Sequence, residues 1–177
     1  MRTATLVLVA YLACVIVATV WRLLPIREAI PDIGALTAAY LGLTARRDVA
    51  PAVGGSVVLG YLCDLISGTP AGLAMLVFGL TCIIARAAQR RIYVRGAAMT
   101  MGFSAFVALA VGLLGLFTRI IYNMPRPSMW LDLQHIAFVT VATAILGPAV
   151  WRVFKRIDAA FARTHRERDA ALEGLTP

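Results

Sequence analysis

Charge is scarce in this chain, and acidic charge is scarcest: nine Asp and Glu stand against seventeen Lys and Arg in 177 residues. Histidine occurs only at His135 and His165, and cysteine only at Cys14, Cys63 and Cys82. There is no HExxH, no CxxC, no glycine-rich phosphate loop and no carboxylate cluster within the apolar runs. The usual zinc-ligand and nucleotide-binding patterns are therefore missing, and neither a metal nor a cofactor is expected. The three cysteines all fall in apolar runs and read as small buried residues rather than a disulfide framework. No low-complexity segment or convincing internal repeat is present. The first apolar run, "ATLVLVAYLACVIVATVW", has no clear A-x-A cleavage site, so it reads as a retained span rather than a signal peptide.

What the chain has in abundance is apolar surface. It is 60% hydrophobic, with mean hydropathy +0.82, and its apolar residues come in long blocks rather than amphipathic stripes. The blocks predict spans at about 3–23, 32–45, 50–66, 70–88, 96–122 and 132–152. The expected fold is all-α, a polytopic membrane bundle of about six transmembrane helices. Residues 1–154 are expected to form the membrane domain, and 155–177 a basic amphipathic tail in the cytoplasm. Six spans of roughly 20 residues leave no room for a separate soluble catalytic domain.

The net charge of +8 reads as loop charge that orients helices, not as a nucleic-acid footprint. With six spans, thirteen Lys and Arg fall on one side and four on the other, which puts both termini in the cytoplasm. If 32–45 did not cross, the split would be fourteen to three with the N-terminus outside. Both arrangements keep 86–95 and the tail inside and the 67–70 turn outside. In the tail, Val150, Val153, Phe154, Ile157 and Phe161 recur at helical steps between basic residues. This pattern suits a surface helix on anionic lipid, with docking of a cytoplasmic partner as the alternative.

"GYLCDLISGTPAG" places Asp64 near the end of the third span, before a tight turn. An ionisable residue in a span suggests function by default. The turn offers it a structural role instead. Thr69 suits an N-cap and Pro70 a first helical position. Asp64 can accept hydrogen bonds from the unpaired N–H groups at the start of the fourth span. Gly68 suits the turn, and Gly60 and Gly72 suit close helix approach. This structural reading is taken over a ligand site. Arg119, near another outer helix end, either pairs with Asp64 or extends to the interface. Small residues repeat every four positions at Ala10, Cys14 and Ala18, at Ala98 and Gly102, and at Ala108 and Gly112. Ser104 and His135 are the one pair that invites comparison with an intramembrane serine protease. They are expected near opposite ends of the bundle, with Ser104 roughly 27 Å below Tyr122, so no catalysis is expected.

Three motifs in order resemble one family: Pro31-Asp32 at the start of the second span, the Gly60, Asp64, Gly68, Pro70 and Gly72 pattern, and Pro148 before the apolar-basic run "AVWRVFKRID". Over about residues 1–157 the chain is similar to the rod shape-determining MreD proteins. The resemblance implies a non-catalytic inner-membrane part of the bacterial elongation machinery. Such a protein would associate with MreC and, through it, with MreB filaments and the RodA–transpeptidase pair. The resemblance also implies a fold like that of the six-helix substrate-binding subunits of energy-coupling-factor vitamin transporters. Asp64 and its glycines would then shape an outer hairpin and a groove for a partner helix. The tail after Asp158 is longer than the family pattern, and nothing is carried onto it. The rival reading is a substrate-binding transporter subunit, drawing on Asp32, Asp64, Arg119, Asn123, Arg126, Asp132, Gln134 and His135.

Overall fold

The computed structural model describes residues 2–21, 30–45, 49–67, 72–89, 96–122 and 128–173, with side-chain surroundings as far as Ala162. Six helices follow one another: α1 (Arg2–Trp21), α2 (Ile33–Thr44), α3 (Ala50–Ser67), α4 (Leu73–Gln89), α5 (Ala97–Ile121) and α6 (Met129–Glu173). Four of them, α1, α3, α5 and α6, are long and apolar enough to cross a membrane, and α2 and α4 are shorter apolar helices. The chain is an all-α membrane helix bundle.

The described helices form a ring around a centre. α1 packs on α3, α3 on α4, α4 on α5, α5 on α6 and α6 back on α1, while α2 packs on all five. Residues Ile33 to Gly42 of α2 are buried without exception. That uniform burial explains why α2 has no polar stripe in sequence. It also explains its length. Twelve residues rise only about 18 Å, short of a hydrocarbon core of about 30 Å. A helix sheathed in protein need not reach the headgroups, provided that its terminal N–H and C=O groups find partners.

Those partners are present. Asp32 is the N-cap of α2, its Oδ1 accepting from the Ala35 N–H at 2.8 Å. The Asp32 N–H in turn donates to Thr143 Oγ1 of α6 at 3.0 Å. Pro31 therefore stands immediately before the cap. At the other end, the Arg86 guanidinium of α4 donates to the Ala45 carbonyl, placing a cation at the negative end of α2. Several hydroxyls in the apolar interior are satisfied by their own helices. Thr37, Ser56, Thr81, Ser104 and Thr118 each donate to the carbonyl four residues back.

Two glycines set the closest approaches to α4. A Cβ on Gly42 would collide with the Cys82 carbonyl oxygen, and one on Gly60 would lie 2.6 Å from the Ala74 carbonyl oxygen and the Met75 nitrogen. Gly72 plays a different part from the close packing expected of it. It has φ +108° and nothing near its missing side chain, so it serves the backbone turn into α4. Gly68, Thr69 and Pro70 lie outside the described residues. Of the small-residue pairs, Ala108 is buried and Gly112 faces Ile136 of α6, whereas Gly102 meets open space.

α6 neither stops at Pro148 nor breaks at residue 154. Pro148 lacks an N–H, so the Ala144 carbonyl loses its helical partner, but no Gly or Pro follows until Gly174. The extension is held to the centre by aromatics. The Tyr40 ring lies 5.0 Å from Trp151 and 5.2 Å from Phe154, centroid to centroid. The Tyr40 hydroxyl donates to Asp158 Oδ2 at 2.6 Å. Tyr40→Phe should remove this bond and keep the aromatic ring, at a cost of about 1–2 kcal/mol. A thermal melt of the purified chain should show a fall of about 2–4 °C per kcal/mol, whereas an unchanged midpoint would mean that the bond does not hold the extension.

Candidate functional site

The end of the bundle where α1, α3 and α5 finish and α4 and α6 begin is hollow. A cavity of about 410 Å³ is walled by all six helices, from Cys14 of α1 through Pro31 and Asp32 before α2, Asp64 of α3 and Leu73 of α4 to Arg119 of α5 and His135 of α6. A second lobe of about 220 Å³ between α5 and α6 shares Asp32, Leu73, Arg119 and His135 and adds Asp132. The structure thus gathers Asp32, Asp64, Arg119, and the Asp132 and His135 pair of α6 from four different parts of the chain. Asn123 and Arg126 lie outside the described residues, and Gln134 is not among the lining side chains.

Asp64 is 2% exposed, and its carboxylate is turned to the start of α4. Oδ2 accepts from the Gly72 N–H at 3.0 Å, and both oxygens lie 3.1 Å from the Ala74 N–H. These are the hydrogen bonds expected of it from the turn sequence. Gly60 makes them reachable, because the missing side chain lets α3 lie directly on the Ala74–Met75 peptide. A carboxylate here also complements the positive end of α4.

The other groups are differently placed. Arg119 and His135 are exposed at the cavity wall, and neither has a hydrogen bond or ion pair among the described residues. Of the two fates open to Arg119, pairing with Asp64 is not the one adopted. Asp132 sits in the first turn of α6, and its Oδ2 is buried with no partner among the described residues. A buried unpaired carboxylate oxygen is costly, and Asp132 lines the smaller lobe together with Arg119 and His135. The exposed Arg119 and His135 can therefore offer donors to an incoming polar group. Ser104 is elsewhere, buried against Gly147. It is separated from His135 by about 18 Å along α6. Among the described residues, no group of three or more His, Cys, Asp or Glu is placed to hold a metal ion.

Pro31 and Asp32 meet Asp64 at this cavity, and Pro148 lies well away from it on α6. A family model for the rod shape-determining protein MreD matches residues 2–152. The chain belongs to the MreD family. Comparison with curated proteins and with solved structures returned no match. Membership makes this a bacterial, rod shape-determining membrane protein. The MreD match ends before the last part of α6, so the family region includes the whole cavity but only part of the Tyr40 aromatic cluster.

The signal for the cavity was partly present in sequence. Asp32, Asp64, Arg119, Asp132 and His135 were all marked as polar groups on which the transporter reading draws, and the structure brings these five to the cavity wall. Thr143, which ties the Pro31-Asp32 entry to α6, was not marked, because nothing local points to a hydroxyl that serves a residue 111 positions away.

Proposed function

We propose that this chain is a non-enzymatic scaffold of the bacterial cell-elongation complex in the inner membrane. In this reading both termini are cytoplasmic and the cavity opens outward. There it receives a segment of MreC and couples it to the peptidoglycan-synthesis partners. The observation that carries the reading is the division of labour in the cavity. Asp64 is committed to the α3–α4 hairpin, while Arg119 and His135 line the space without partners among the described residues. Residues 1–154 form the membrane domain. The tail from 155 onward lies on the cytoplasmic side, where exposed Arg152, Lys155 and Arg156 suit anionic lipid headgroups. No catalytic step, cofactor or nucleic acid enters this reading.

Deleting the gene in a rod-shaped host should give round cells. Unchanged rods in a host without a paralogue would overturn the proposal. Arg119→Ala separates the cavity from the fold. The variant should accumulate at normal yield, because no hydrogen bond or ion pair among the described residues is lost, yet fail to restore rods. Full restoration would remove Arg119 from the partner site.

A second reading, a substrate-binding subunit of an energy-coupling-factor type vitamin transporter, draws on the cavity itself. About 410 Å³ is within the size range of small-molecule pockets. A vitamin retained on the purified chain would favour it.

A further inference from the structure

Cys14 and Cys63 sit far apart in sequence, on α1 and α3, and the structure sets these two packed helices so that both cysteines fall on one stretch of the cavity wall. The helix pairing explains this. Thr3 and Val7 of α1 pack over Gly55 of α3, where a side chain would meet them at 2.7 and 3.2 Å. Two helical turns further along both helices, the facing positions are Cys14 and Cys63. Neither thiol is sealed in the core. Both are half-buried and both line the larger cavity. Cys82 differs on both counts: it is fully buried and absent from the cavity wall.

We propose that Cys14 and Cys63 are a modification site: a dithiol that closes to an internal disulfide by exchange with a small-molecule or protein disulfide, stapling α1 to α3 at the cavity wall. In the first step one thiol, having lost its proton, attacks a sulfur of the incoming disulfide and displaces one thiol from it. In the second, the other cysteine attacks the mixed disulfide and displaces the second thiol. Two protons leave the protein and two electrons pass to the incoming disulfide, which departs as two thiols.

The staple has a mechanical consequence. Leu8, Leu12, Ile16 and Val20 of α1 are exposed, and among the described residues α1 touches only α2, α3 and α6. It is one flank of the ring, so fixing it to α3 fixes one wall of the cavity. That the oxidising compartment faces the pair rests on the outward orientation proposed above. The bond itself does not.

The test uses the full chain in lipid nanodiscs, treated with oxidised glutathione, quenched with N-ethylmaleimide and read by peptide mass spectrometry. The expected result is a linked pair of Cys14 and Cys63 peptides, loss of alkylation at both, alkylated Cys82, and reversal by dithiothreitol. The oxidised chain should also melt at a higher temperature than the reduced one. In Cys63→Ser, Cys14 should instead carry glutathione. Alkylation of both Cys14 and Cys63, or a separate glutathione on each, would overturn the proposal. A green fluorescent protein fused after Pro177 reports the orientation without using cysteine. Linked peptides with a dark fusion would uphold the dithiol and overturn only the outward orientation.

Discussion

Asp64→Ala is expected to be among the most damaging single substitutions in this protein, at about 2–5 kcal/mol. The figure follows from what is left behind. The Gly72 and Ala74 N–H groups both point at the Asp64 carboxylate. Alanine would leave both without an acceptor, at about 1–3 kcal/mol each, and would take the negative charge from the start of α4. Asp64→Asn should be milder, since one carbonyl oxygen remains to accept, but its NH₂ group faces donors. Folded yield and thermal midpoint in detergent are the readouts. Both should fall in the order Asp, Asn, Ala, and partner retention per folded molecule should change less than yield. Normal yield and midpoint with lost partner retention would reverse the assignment and make Asp64 a contact residue.

Gly60→Ala is the second large effect. The new Cβ would stand 2.6 Å from the Ala74 carbonyl oxygen and the Met75 nitrogen. Both atoms are backbone, so no side chain can swing away, and α3 and α4 must part. Overpacking of this kind costs about 1–3 kcal/mol. The damage should exceed the steric term, because parting the helices also lengthens the Asp64 hydrogen bonds. Gly102→Ala is the control. Nothing lies within 4 Å of its would-be Cβ, and alanine in a helix interior gains roughly 0.5–1 kcal/mol over glycine. Gly60→Ala should therefore lower the thermal midpoint and Gly102→Ala should hold or raise it. Equal midpoints would show that α3 and α4 are not in contact as described.

The two predictions differ in how far sequence alone could have led to them. The Asp64 hairpin was legible because it is local. The carboxylate, the glycine turn and the start of α4 fall within about a dozen residues, where backbone rules alone relate them. The helices themselves were legible for a similar reason, since long apolar blocks with charged or proline-rich breaks leave few other foldings in lipid. α2 was the exception. Its shortness counted against it in sequence, yet shortness is what a helix ringed by five others can tolerate. The ring could not be read, because its contacts join helices far apart in the chain. Tyr40 and Asp158, 118 residues apart, carry no mark of each other, and nor do Cys14 and Cys63. The helical pattern of the tail was legible at Val150, Val153, Phe154, Ile157 and Phe161, and α6 runs on through Pro148 because a long stretch without glycine or proline follows.

The cavity shows the same limit from the functional side. Arg119 near a helix end was visible as a charge in a costly place. The transporter reading names it beside Asp132 and His135 as a candidate only; that the three line one space follows from how α5 lies on α6.

The central claim, that this member of the MreD family acts by holding other membrane proteins, is tested most directly by what stays attached to it. The chain should be purified from its native membranes in a mild detergent, and everything retained identified by mass spectrometry. The account predicts MreC or a peptidoglycan synthase at near-stoichiometric level. Retention of an ATPase pair with its coupling subunit, or of a bound vitamin, would contradict it and assign the cavity to a transported ligand.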